Sequence, residues 1–160
     1  MDRGALSVEI KAFLASHHTV SLATVDDQGA PHAANVLYAP DGLALYWMSD
    51  TGTRHSRHIE ARHRVTATVA PDYADFRLIR GLQIFGTARR LAGAESLATA
   101  RRMVFRYGFL AELANGPAAL RAAFEKAGFY CLEPDRITLI DNTQGFGHKE
   151  TLELDGDRGG

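Results

Sequence analysis

One cysteine, Cys131, stands in the 160 residues. An intrachain disulfide is therefore impossible, and so is a cysteine-rich zinc site. Long hydrophobic runs are missing too, since no apolar stretch approaches the ~18–20 residues that span a bilayer. The opening segment carries Asp2, Glu9 and Lys11 among its apolar residues and lacks the apolar core of a signal peptide. Neither sign of charge is in excess. Lys and Arg number 18 against 19 Asp and Glu, for a net charge of −1, which argues against a chain built to coat nucleic acid or an anionic membrane. Gly-x-Ser-x-Gly and Gly-x-x-x-x-Gly-Lys-Ser/Thr are absent, so neither a serine-hydrolase elbow nor a phosphate-binding P-loop is encoded. The expectation is a soluble cytoplasmic protein with no nucleic-acid or membrane partner.

What is present is an ordinary globular composition, 46% hydrophobic and 23% charged, in a length that suits one domain. Leu6, Ile10, Phe13 and Leu14 recur at helical spacing and predict an amphipathic helix. Residues 18–25, 32–38 and 43–48 read as strands, the last two joined by an Asp41-Gly42 hairpin signal. A loop at 49–53 with capping residues leads into a polar helix over 54–62. Strands follow at 65–69 and 78–91, the second interrupted by Gly81 and Gly86, where a bulge or a close approach is expected. A helix over 94–107 places Leu97, Ala100, Val104 and Tyr107 on one stripe, with Gly108 at its end. Gly116-Pro117 opens another helix that Gly128 closes. Strands at 129–132 and 137–140 are separated by Pro134-Asp135, and a short last strand is expected at 151–154. The expected fold class is α+β, with about six antiparallel strands closing a small barrel between inserted helices. Residues 1–154 form the domain, and 155–160 read as a disordered tail.

The segment Arg54-His-Ser-Arg-His-Ile-Glu-Ala-Arg-His-Arg64 concentrates four arginines against one glutamate. It begins where a strand passes through a glycine loop into a helix. Helix N-termini offer free N–H groups and the positive end of the dipole, which suits phosphate. Thr53 can supply a hydroxyl, and Arg54 and Arg57 charge-assisted hydrogen bonds; the plainer reading is a solvated basic face. The histidine spacings lack the partners of a metal motif, so no metal is expected. Cys131, in an apolar strand, reads as an inert core thiol. Tyr38, Trp47 and Phe85 are either core or apolar walls for an aromatic ring. No nucleophile constellation stands out, so an enzyme of this sequence takes its reactivity from a cofactor.

The order of these pieces, with Ile79-Arg-Gly-Leu-Gln-Ile-Phe-Gly-Thr-Ala-Arg-Arg-Leu91, resembles the pyridoxamine 5′-phosphate oxidase-like FMN-binding split barrels. The ending Arg136-Ile-Thr-Leu-Ile-Asp-Asn-Thr-Gln-Gly-Phe-Gly-His-Lys149 is similar to the YhbP-like group of that family. The resemblance implies a six-stranded split barrel that forms a homodimer with FMN in a groove between subunits. It implies that Ser49, Thr53, Arg54 and His55 hold the phosphate, His55 standing where the family has a lysine. It places backbone groups of Asn35, Val36 and Leu37 against the flavin ring, with Gln83 nearest the family's flavin-contacting glutamine. Phe146-Gly-His-Lys149 occupies the place of the oxidases' paired arginines and histidine, which argues against oxidation of pyridoxamine phosphate. The resulting expectation is an FMN-dependent oxidoreductase acting on a nicotinamide or small organic substrate. The alternatives are a flavin- or haem-binding storage protein, with His17, His18, His32 or His148 available to iron, and an enzyme using a deazaflavin.

Overall fold

A computed structural model describes residues 1–154; the expected tail lies outside the described residues. Asp2 caps α1 (Arg3–Ser16) by accepting the Ala5 N–H at 2.9 Å, and the helix buries Leu6, Ile10, Phe13 and Leu14 at the predicted spacing. β1 (Thr19–Val25) and β2 (Pro31–Leu37) form a hairpin. β3 (Ala39–Asp41) and β4 (Ala44–Asp50) form a second one around Gly42, whose φ of 60° suits a residue without Cβ. Then come α2 (Arg54–Ala61), β5 (Arg64–Val69), β6 (Arg80–Arg90), α3 (Gly93–Arg106), α4 (Phe109–Ala114), α5 (Ala118–Glu125), β7 (Ala127–Asp141) and β8 (Lys149–Glu153).

Every pairing is antiparallel, in the order β2-β1-β5-β6-β7-β4-β3. One edge of β7 is shared, its first half by β4 and its second by β8. The two ends of this path, β2 and β3, are consecutive in the chain and separated only by Tyr38. The sheet must therefore curl until its ends meet, which makes a barrel split beside β2. Inside lie Val20, Leu22, Leu45, Trp47, Ile84 and Leu132, all fully buried. By register, α1 packs at the end where β6 begins and β7 finishes, and Arg80 there pairs with Glu9 and Asp141. α2 packs at the other end, where β1 and β4 finish. No helix among the described residues is long and apolar enough to cross a membrane.

The sheet's outer face is divided. Over β3 and β4 it is covered by α3 and α4, through Ala39, Met103, Tyr107 and Leu110. Over β2, β1, β5 and β6 it stays open, with Asn35, Ala23, Thr66 and Thr68 exposed.

Several expectations change. The sheet has eight described strands rather than six, because short β3 and β8 add to its margins. Of the stripe expected on α3, Tyr107 is buried and Val104 packs against the same cluster, whereas Leu97 is 54% exposed; Thr99 and Met103 complete the inward face. The Tyr107 hydroxyl donates to the Tyr38 carbonyl and sets that rotation. α4 was not foreseen. α5 ends at Glu125, so Gly128 belongs to β7 and not to a helix cap. The two strands expected around Pro134-Asp135 are one, because β6 pairs along both halves and Asp135 is the extra residue of a bulge in β7 opposite Phe85 and Gly86.

Gly86 is held at that bulge by sterics. A Cβ there would sit 2.3 Å from the Glu133 carbonyl oxygen and 2.8 Å from Pro134 Cα. Gly86→Ala should lower stability by about 3 kcal/mol, an overpacking cost borne by backbone that cannot give way. Urea unfolding checks this; a wild-type midpoint would show that the bulge is free to shift.

Candidate functional site

Alternation along β4 puts Leu45 and Trp47 in the core and Ser49 next on the same face, at the α2 end of the barrel. Asp50 organises the turn that follows. Its carboxylate accepts the Gly52 N–H at 2.7 Å, and its carbonyl accepts the hydroxyls of Thr53 at 3.0 Å and Ser56 at 2.9 Å. Thr53 Oγ1 in turn accepts the Ser56 N–H at 3.3 Å and caps α2. The Thr53 hydroxyl is thus engaged in shaping the loop.

His55 faces the barrel and is 8% exposed. Its Nε2 lies 3.0 Å from Ser49 Oγ and 3.3 Å from Thr53 Oγ1. Burial, aided by His32 and His58, holds its pKa below the ordinary histidine value. His58 Nδ1 is 2.9 Å from Thr24 Oγ1, and the His32 ring stands edge-on to His58 with centroids 5.8 Å apart. Three histidines from α2 and β2 therefore gather at this end. They do not make a metal-ligating group among the described residues.

Arg54 occupies the outward side of the same helix start. With Arg57, His58 and Arg62 it lines a cleft of about 310 Å³ facing Asp26 and Asp27. Arg54 and Arg57 make no ion pair among the described residues. Asp26 stays ionised well below the usual carboxylate range because the Ala30 and Gln28 N–H groups donate to it.

Beneath the loop lies an orphaned polar atom. Tyr130 is fully buried and stacked on Trp47, and neither its hydroxyl nor Trp47 Nε1 has a hydrogen-bond partner among the described residues. Gly128 makes room for that hydroxyl: a Cβ at Gly128 would lie 3.1 Å from it and 2.9 Å from Thr51 Cγ2. Buried hydroxyls are nearly always paired, so the Tyr130 hydroxyl beneath this loop is an exception among the described residues.

The ring-contact candidates fall elsewhere. Asn35 and Leu37 point to the open outer face, while Val36 packs on the core. Among the described residues β2 pairs only with β1, which leaves the backbone groups along its other edge without a strand partner. Gln83 shares a cross-strand row with Asn35, through Ser21 and Thr68, on the outer face. The sheet thus separates Asn35 and Gln83 from Ser49 and His55. Tyr38 and Trp47 are core residues and not ligand walls, because alternation turns both inward; Phe85 is half-exposed beneath Arg136, 4.1 Å from its ring centroid. Cys131 is buried and its thiol pushed up to about 11 by desolvation, so it stays protonated. Sequence reasoning missed Thr24 and Tyr130, which reach the site only through strand pairing.

A split barrel with this loop defines the class, and the comparisons agree. Residues 6–143 match the family model described as pyridoxamine 5′-phosphate oxidase. The chain belongs to the pyridoxamine 5′-phosphate oxidase family, in its YhbP-like (UPF0306) group. It is 34% identical to a UPF0306 protein of Enterobacter sp. (strain 638) over 142 residues, covering 88% of this chain and 91% of that one. It is 32% identical to UPF0306 protein YhbP of Escherichia coli O157:H7, with 88% of each chain covered. Among solved structures it is similar to a haem-binding protein from Mycobacterium smegmatis, with TM-score 0.72 and 19% identity over 93% of this chain and 58% of that one. It is also similar to an FAD-binding protein from Mesorhizobium loti, with TM-score 0.61 and 19% identity over 81% and 90%. HutZ, the haem storage protein of Vibrio cholerae, gives TM-score 0.65 and 21% identity over 79% and 88%. At these identities the structural matches establish the fold alone.

The buried, neutral His55 has a consequence for stability. Its folded pKa lies below its unfolded one, so the unfolded chain takes up more protons as pH falls through about 6.5. Stability is full above that point and declines below it, whereas Asp26, depressed from an already acidic value, acts only below about pH 4. The urea midpoint should fall between about pH 7.5 and pH 5.5, and less steeply in His55→Gln. Parallel slopes for the two proteins would place the acid sensitivity on another histidine.

Proposed function

We propose that the protein binds FMN, with the phosphate at the α2 end of the barrel, and works as a flavin-dependent oxidoreductase on a nicotinamide or small organic substrate. The observation that carries this reading is the loop 49–55. A helix start with N–H groups that have no intrahelical acceptor is joined there by Arg54 and by the Tyr130 hydroxyl, both without a partner among the described residues. Ser49, Thr53, Arg54 and His55 are the phosphate set. Bound flavin supplies the hydride chemistry, and the chain supplies binding, orientation and polarity. Its FAD-binding structural neighbour supports a flavin without choosing among flavins.

The separation of Asn35 and Gln83 from the phosphate set by the sheet supports a C2 homodimer. In it, the open outer face and the free edge of β2 in one chain complete the site of the other.

A second reading is haem storage, favoured by His17. Its Nδ1 donates to the Phe13 carbonyl at 2.7 Å, which leaves Nε2 free in a groove of about 800 Å³ lined by Ala5, Val8, Ala12 and Phe13. The absorption spectrum of the purified protein separates flavin, deazaflavin and haem.

FMN should bind more tightly than riboflavin, and Arg54→Ala should weaken FMN about tenfold to a hundredfold, the worth of a charge-assisted hydrogen bond. Calorimetry giving equal affinities for FMN and riboflavin would refute the phosphate site. Sedimentation equilibrium should give a species of twice 17.5 kDa, stabilised by FMN. A monomer binding one FMN per chain would rule out the shared site.

A further inference from the structure

We propose that His55 takes up a proton when the phosphate of FMN enters the α2 end, so that the site gains a positive charge only in its loaded state. This rests on the FMN reading above and concerns how that site meets its ligand. The geometry carries it. His55 is buried, with Nε2 committed to Ser49 and Thr53, and it sits on the first turn of α2.

Burial first, and then the facing histidines, favour the neutral ring when the site is empty. On its own helix stand Arg54, Arg57 and His58. From β2 comes His32, stacked edge-on against His58. β4 contributes the neutral Ser49, and β7 the neutral, unpartnered Tyr130 hydroxyl. The loop contributes the Asp50 carboxylate, which is turned to the Gly52 N–H. Asp26, from the β1–β2 turn, is occupied by the Ala30 and Gln28 N–H groups and faces His58 and Arg62. Cations and histidines therefore outnumber anions around the ring, in keeping with its lowered basicity.

A phosphate monoester brings a charge of about −1.5 to −2 at neutral pH and inverts that field. A lysine here, with its higher intrinsic pKa, would keep more of its charge in the empty site even though burial lowers it. Imidazole charges only when an anion is there to receive it. The proton comes from solvent, and no covalent bond changes.

Linkage makes the claim measurable. FMN is titrated into the full chain by calorimetry at about pH 7.5, in two phosphate-free buffers of different ionisation enthalpy. Wild type should take up between about half and one proton per FMN, and its Kd should tighten about threefold to tenfold from about pH 8.5 to 7.5. Riboflavin should bind with no uptake. His55→Gln should bind FMN without uptake, and His58→Gln should keep it. FMN binding without uptake in wild type, or with uptake retained in His55→Gln, overturns the role of His55 while leaving the FMN site standing. Absence of FMN binding in wild type overturns both. Should a variant fail to fold, NMR of the His55 ring in wild type decides: a shift to imidazolium on adding FMN supports the proposal, and an unchanged neutral ring overturns it.

Discussion

A single residue governs the shape of this molecule. Tyr38 joins two strands that lie at opposite ends of the sheet path, and one residue cannot bridge an open sheet. The sheet has to curl, and Tyr38 holds the curl closed. Its N–H donates to the His18 carbonyl at 2.9 Å and its hydroxyl to the Leu14 carbonyl at 2.7 Å, while its own carbonyl accepts from Tyr107. It thereby ties β1, α1 and α3 to the seam. Burial raises the basicity of the Tyr38 phenolate, so the hydroxyl remains a donor throughout the ordinary pH range.

Curling has two consequences for function. It brings the ends of β1 and β4 to one mouth, which α2 plugs with Ser56 and Ile59 buried. It also leaves the outer face to be covered piecemeal. α3 and α4 lie over β3 and β4, where Met48 and Val104 join their cluster. The remaining outer face, with its row Asn35, Ser21, Thr68 and Gln83, has no cover among the described residues. Threonine and asparagine in such a row keep an open sheet face soluble while offering hydrogen bonds to whatever lies on it.

The candidate site shows how far contiguous chain reveals chemistry. Residues 49–55 were legible because the phosphate-binding features are local: a loop, a cap, a helix start and an arginine follow one another. Thr24 and Tyr130 were not, because each is an ordinary strand residue until β-pairing carries it to the α2 end. The division of Ser49 and His55 from Gln83 was equally hidden, since it depends on which face of a curled sheet each strand presents. Tyr38 and Trp47 follow the plainer of their two readings, since strands bury aromatic residues and both lie in the core.

By itself, the sequence determined the elements whose signals are short-range. The buried stripe of α1, the Asp41-Gly42 hairpin, the Thr53 cap and the glycines of β6 all follow from helical spacing, turn chemistry and the small size of glycine. The tertiary structure decided what depends on partners distant in sequence. The rotation of α3 is set by Tyr107 reaching Tyr38, and the unity of β7 by the length of β6 beside it. The neutrality of His55 is set by burial among groups from several elements. Such features have no local signature, because the energy of a buried hydrogen bond or charge depends on neighbours that only the folded chain brings together.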